Sequence, residues 1–97
     1  MQLNLSYKWK GGGGNVSQKD KLIDRFISIP SDFTYKETVT LMKYFGYEEH
    51  SNDGSRRAFV HSQSLHVIYI HEPHPGNIMK KYALRDIKRA LEEEGLL

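Results

Sequence analysis

The sequence contains no cysteine. That excludes disulfides, thiolate metal sites and a cysteine nucleophile, and it accords with a reducing cytoplasm. No apolar run approaches the roughly 18 residues needed to cross a bilayer, and the N-terminus lacks the apolar core of a signal peptide. The expectation is a cytoplasmic protein without a membrane partner. Net charge is also scarce: +2 over 97 residues gives no bulk electrostatic argument for a polyanion. What is present is 38% hydrophobic and 27% charged residues, the balance of a globular chain whose length fits one domain with a modest core.

The charge is unevenly placed. From Gly54 to Leu91 seven cations (Arg56, Arg57, Lys80, Lys81, Arg85, Lys88 and Arg89) stand against two acids, Glu72 and Asp86, whereas the rest of the chain carries seven cations and ten acids. Such asymmetry suits a polyanion on one surface, although a solvated helix face alone would produce it too.

Leu3, Leu5, Tyr7 and Trp9 recur at period two, a weak strand signal that Gly11 to Gly14 break. Four consecutive glycines lose too much backbone entropy inside an element, so residues 1–16 are expected to form an arm with a flexible linker, and 17–97 a single domain. Ser17 can cap a helix in which Leu22, Ile23, Phe26 and Ile27 recur at helical spacing and which ends before Pro30. Thr34-Tyr35-Lys36-Glu37 is a capping box. It opens a second helix with Tyr35, Val39, Leu41, Met42 and Phe45 on its core side, stopped at Gly46. Three strands follow, at 47–50, 55–61 and 65–71, separated by the turn signals Ser51-Asn52-Asp53-Gly54 and Ser62-Gln63-Ser64. The last helix spans about 80–94, with Ala83, Leu84, Ile87, Ala90 and Leu91 in one arc and Lys81, Arg85, Lys88 and Arg89 in another.

Between the third strand and the last helix lies His71-Glu72-Pro73-His74-Pro75-Gly76. Imidazole is the side chain whose unperturbed pKa lies nearest neutrality, and two prolines stiffen the segment enough to aim it. The alternative is a rigid connection with surface histidines. His61 and His66, flanking the second hairpin turn, are expected to be a solvated cross-strand pair. With His71 and His74 they lack the compact ligand spacing of zinc sites, so no metal is expected.

The order helix, three strands, helix, with Gly46-Tyr47 after the helix, Gly54-Ser55 opening the second strand, Pro73-His74-Pro75-Gly76 after the third, and Ile87 to Leu91 before Glu94-Gly95-Leu96-Leu97, resembles the HicA family of bacterial toxin–antitoxin toxins. The similarity covers about 34–97. It implies an α+β fold like a double-stranded-RNA-binding domain, α-β-β-β-α, with a three-stranded antiparallel sheet covered by two helices; here a short N-terminal helix is extra. It also implies cleavage of mRNA as an endoribonuclease without metal or other cofactor, and neutralisation by a HicB-type antitoxin protein. In the family pattern a histidine follows the Gly-Ser and serves the chemistry, but here Arg56 does. Either the active groups sit elsewhere in this chain, or it binds RNA or its antitoxin without cutting.

Metal-free RNA cleavage needs a base for the 2′-hydroxyl, a cation or amides for the phosphorane charge and an acid for the leaving oxygen. His74, with His71 as partner, is the candidate for proton transfer. Arg56 stays protonated at neutral pH and so serves as a charge clamp rather than a base. Arg57, Lys80, Lys81, Arg85, Lys88 and Arg89 are the candidate RNA-binding cations. Because strand neighbours alternate faces, only one of Arg56 and Arg57 can serve a given site, and the motif position favours Arg56.

Overall fold

A computed structural model describes residues 17–51 and 54–97. The expected arm and glycine linker of 1–16, and Asn52-Asp53 of the first turn, lie outside the described residues. Helix α1 (Gln18–Ile27) starts where the Ser17 hydroxyl accepts the amide of Asp20 at 3.1 Å. Its apolar stripe buries Ile23 and Phe26. The chain then turns through Ile29, at φ 51°, ahead of Pro30, which cannot continue a helix. From the last turn of α1, Arg25 reaches Asp32 at 3.0 Å and Glu37 at 2.8 Å and lies 5.1 Å above the Phe33 ring. These partners, Asp32 foremost, hold its pKa above the ordinary value.

Helix α2 (Tyr35–Tyr44) opens on the expected capping box: Thr34 Oγ1 accepts the Glu37 amide at 3.0 Å, and Glu37 Oε1 accepts the Thr34 amide at 2.9 Å. Leu41 and Met42 are fully buried, and so is Thr38, which the apolar pattern could not place in the core. Its hydroxyl donates to the Thr34 carbonyl at 3.0 Å, so this buried polar group is satisfied. After α2, Gly46 takes φ +92°, and a Cβ there would stand 2.8 Å from Nε2 of His61. That ring cannot easily retreat, because its Nδ1 accepts the amides of Gln63 and Ser64, each at 3.2 Å. Gly46→Ala is therefore expected to cost at least about 1–2 kcal/mol, the left-handed penalty alone. At roughly 4–8 °C per kcal/mol for a small domain, a thermal melt should show a drop of several degrees or more.

Strands β1 (Tyr47–Ser51), β2 (Arg56–His61) and β3 (Val67–His71) form an antiparallel meander in the order β1-β2-β3. Tyr47 pairs with His61 and Glu49 with Phe59 across the first ladder, while Phe59 pairs with Ile68 and Arg57 with Ile70 across the second. β3 starts two residues later than the sequence pattern predicts. Leu65 sits at φ 65°, closing the turn with its amide on the His61 carbonyl at 3.0 Å, and that backbone cannot extend the strand.

Helix α3 (Lys81–Glu93) buries Leu84, Ile87 and Leu91. It ends at Gly95, φ 75°, where Leu96 N bonds Leu91 O at 2.9 Å and Gly95 N bonds Glu92 O at 3.0 Å, the paired bonds of a Schellman stop. Phe26, Phe33, Leu41, Phe59, Ile70 and Leu84 share one core cluster. That cluster lies between one face of the sheet and the helices, so the fold is α+β in the expected α-β-β-β-α order, preceded by one more helix. Among the described residues no helix covers the opposite side of the sheet, where Val67 and Tyr69 stay exposed.

Candidate nucleic-acid interface

Alternation along the strands decides which residues face outward. Since Tyr47, Phe59, Ile68 and Ile70 point into the core, the open face carries Glu48 and His50 from β1, Arg56, Ala58 and Val60 from β2, and Val67, Tyr69 and His71 from β3. The ladders arrange them in rows: Arg56 opposite His71, Ala58 between His50 and Tyr69, and Val60 between Glu48 and Val67. Directly opposed side chains start from Cβ atoms about 4.5–5.5 Å apart. Arg56 and His71, predicted independently from the motif and from the histidine segment, are thus brought together at one end of this face. The Arg56 guanidinium carbon lies 4.1 Å above the ring centroid of Tyr69, a residue that is 52% exposed.

Arg57 points the other way and is spoken for. Its Nη2 donates to Glu72 Oε1 at 2.9 Å, its Nη1 donates to the Gly54 carbonyl at 2.7 Å, and its Nε lies 3.8 Å from Glu49 Oε2. Glu49 also accepts the Tyr35 hydroxyl at 2.5 Å. Burial and that carboxylate raise the Tyr35 pKa well above its ordinary value, so the phenol keeps its proton. Arg57 therefore ties β2 to β1 and to the exit of β3, and two carboxylates compete with any phosphate for it. Arg57→Ala should lower stability by about 1.5–3 kcal/mol, the range for hydrogen bonds to charged groups, without changing the salt dependence of any RNA binding. A titration at several salt concentrations beside a thermal melt checks both. Neither Glu49 nor Tyr35 carries a sequence signal for this role, because pairing of β1 with β2 brings Glu49 to Arg57 and packing of α2 on β1 brings Tyr35 to Glu49.

The segment after β3 is pinned at both ends. Glu72 N bonds Ser55 O at 2.8 Å, and the far end is held by a bridge between Thr34 and Ile78, with Tyr35 N on Asn77 O and Met79 N on Phe33 O, each at 2.8 Å. His74 is exposed between these anchors, and no hydrogen bond or ion pair joins it to Arg56 or His71 among the described residues. Lys80 is the N-cap of α3 without a side-chain cap bond, and no acid occupies the first turn. With Lys81 beside it, the positive end of the helix dipole is left uncompensated and favours an anion.

The other cations lie on the helical layer. Arg85, Lys88 and Arg89 line a shallow depression with Ile29 and Glu92, away from the open sheet face. Lys88 meets Glu92 at 3.1 Å and Arg89 meets Asp86 at 3.4 Å. Surface pairs of this kind are worth about 0–1 kcal/mol.

His61 and His66 are not the solvated pair that their turn-flanking positions predict. Both rings pack edge-on against the buried Tyr47, at 5.0 and 6.1 Å between centroids. His66 Nδ1 lies 2.9 Å from the Tyr47 hydroxyl, and its Nε2 lies 3.6 Å from Glu94. Burial, then the Glu94 charge, pushes the Tyr47 phenol up. These histidines fasten the β2–β3 turn to the end of α3. Among the described residues no group of three or more His, Asp or Glu side chains is placed to hold a metal ion.

A family model described as HicA toxin of bacterial toxin-antitoxin matches residues 35–93. The match runs from the first residue of α2 to the last of α3 and leaves α1 outside. No curated protein and no solved structure matches the chain.

Proposed function

We propose that this protein, which belongs to the HicA family of bacterial toxin–antitoxin toxins, is an endoribonuclease that cleaves mRNA on the open face of its sheet. The observation that carries the reading is the cross-strand pairing of Arg56 with His71. Where the family pattern has a histidine after the Gly-Ser, this chain has a cation, and an imidazole stands directly opposite it. In the proposed reaction the RNA 2′-hydroxyl attacks the adjacent phosphorus and gives its proton to neutral His71. Arg56, charged at any physiological pH, offsets the negative charge that develops on the phosphorane oxygens. The 5′-oxygen leaves with a proton, supplied by protonated His74. One strand then ends in a 2′,3′-cyclic phosphate and the other begins with a 5′-hydroxyl. Lys80 and Lys81 hold the flanking backbone, and the partner that silences the toxin is a HicB-type antitoxin in the cytoplasm.

Incubating the protein with a labelled mRNA in EDTA, with analysis of the product ends, tests this directly. Fragments ending in 2′,3′-cyclic phosphate support the reading. Arg56 in the histidine position favours a second reading, an RNA-binding or antitoxin-binding module without turnover. RNA that shifts on a gel but stays intact would select that second reading and sink the nuclease. Among the described residues no helix is long and apolar enough to cross a membrane.

A further inference from the structure

We infer that Tyr69 is a stacking platform for one unpaired nucleobase, and that it sets the register of single-stranded RNA against Arg56 and His71. The inference rests on the open sheet face being the RNA site. Three features of that face carry it. Tyr69 is a large aromatic residue left 52% exposed at the middle of the outer strand β3. Its cross-strand partner is Ala58, which has no bulk to fill the space beside the ring. The next outward position on the same strand is His71, two residues away, so the two side chains start about 6–7 Å apart at 3.3 Å per residue. A base seated on Tyr69 therefore leaves its adjoining phosphate within reach of the Arg56 and His71 row.

In the free protein the ring is covered by the Arg56 guanidinium at 4.1 Å. RNA offers both members of that pair something better. The guanidinium turns to the phosphate, where it makes charge-assisted hydrogen bonds, and the base takes its place on the ring. An exposed cation–π contact is weaker than a base-on-aromatic stack, so the exchange runs toward the complex. The face also selects strandedness and direction. A duplex keeps its bases stacked inside and cannot present one to a ring on a flat sheet, whereas a single strand can. The acid on this face, Glu48, lies on β1 in the row beyond Ala58 and Tyr69, so the phosphates run along the Arg56 and His71 end.

Fluorescence anisotropy with three probes tests the inference on the full chain: a short single-stranded RNA, the same strand in a duplex, and an abasic ribose–phosphate oligomer of equal length. Tyr69→Ala should weaken binding of the single strand by about 5- to 150-fold, the range for loss of one base stack. The abasic oligomer and the duplex should bind it as they bind the wild type, and Tyr69→Phe should bind the single strand as the wild type does. As a readout independent of any variant's folding, irradiation of the wild type with 5-iodouridine-substituted single-stranded RNA should give a cross-link at Tyr69. If Tyr69→Ala binds the single strand unchanged, or loses the abasic oligomer equally, this inference falls and the proposed function stands. A wild type that binds RNA but never cuts it leaves the platform in place and removes the nuclease. A wild type that binds no RNA at all, because the open face serves the antitoxin alone, overturns both.

Discussion

His71→Ala should reduce the rate of RNA cleavage by about 10²- to 10⁴-fold, the usual worth of a positioned general acid or base, while the protein still binds RNA. The expectation follows from where β2 and β3 pair. Register places His71 opposite Arg56 on a face that the described helices leave open, so an imidazole and a permanent cation flank the same point above the sheet. In the proposed mechanism, removing the imidazole takes away proton transfer but not the phosphate contacts, which that mechanism assigns to Arg56 and the lysines at the start of α3. Arg56→Ala should behave differently: cleavage and affinity fall together, and the slope of affinity against salt becomes shallower because one fewer phosphate is neutralised. Single-turnover rates and binding titrations on the same variants separate the two patterns. Cleavage by His71→Ala at the wild-type rate would move the chemistry to His74 or elsewhere.

Phe59→Ala should destabilise the fold by about 3–5 kcal/mol, the usual cost of truncating a buried phenylalanine. Phe59 is 1% exposed and sits near the middle of the central strand, paired with Glu49 on one side and Ile68 on the other. Its ring belongs to the one cluster that α1, α2, α3 and the sheet all share, so no neighbour can close the cavity without moving another element. Against a total stability of about 5–15 kcal/mol for a domain, that is a large fraction. At roughly 4–8 °C per kcal/mol, the melting midpoint should fall by at least about 12 °C. Tyr69→Ala, on the other face of the same sheet, should change the midpoint little, as exposed substitutions do. Comparable losses for the two variants would mean that the open face is covered in solution.

The capping box at Thr34, the apolar stripes and the glycine stops were all legible in the sequence because they are local. A hydroxyl and a carboxylate three residues apart meet at a helix start whatever surrounds them. Thr38 was not legible as a core residue, since its burial depends on a bond to its own helix that only packing makes worthwhile. His61 and His66 were misplaced for a similar reason. A turn-flanking pair looks solvated until Tyr47 and the end of α3 arrive beside it, and both come from distant parts of the chain. In the site, Arg56 was marked by its place after Gly54-Ser55 and His71 by its segment, while Tyr69 carried no signal beyond one more aromatic in a strand.

By itself the sequence determined the kind and order of the elements, the absence of thiol chemistry and the family, because composition, periodicity and caps act over a few residues. The tertiary structure decided which cations are available. Arg56 and Arg57 are neighbours of the same chemistry, yet strand alternation and the register of three strands leave one above an open face with Tyr69 and His71 and place the other between Glu49 and Glu72. That difference is a matter of a half-turn of the backbone and of partners brought in by neighbouring strands, which for Arg57 include Glu72, 15 residues away in sequence. No local pattern encodes it.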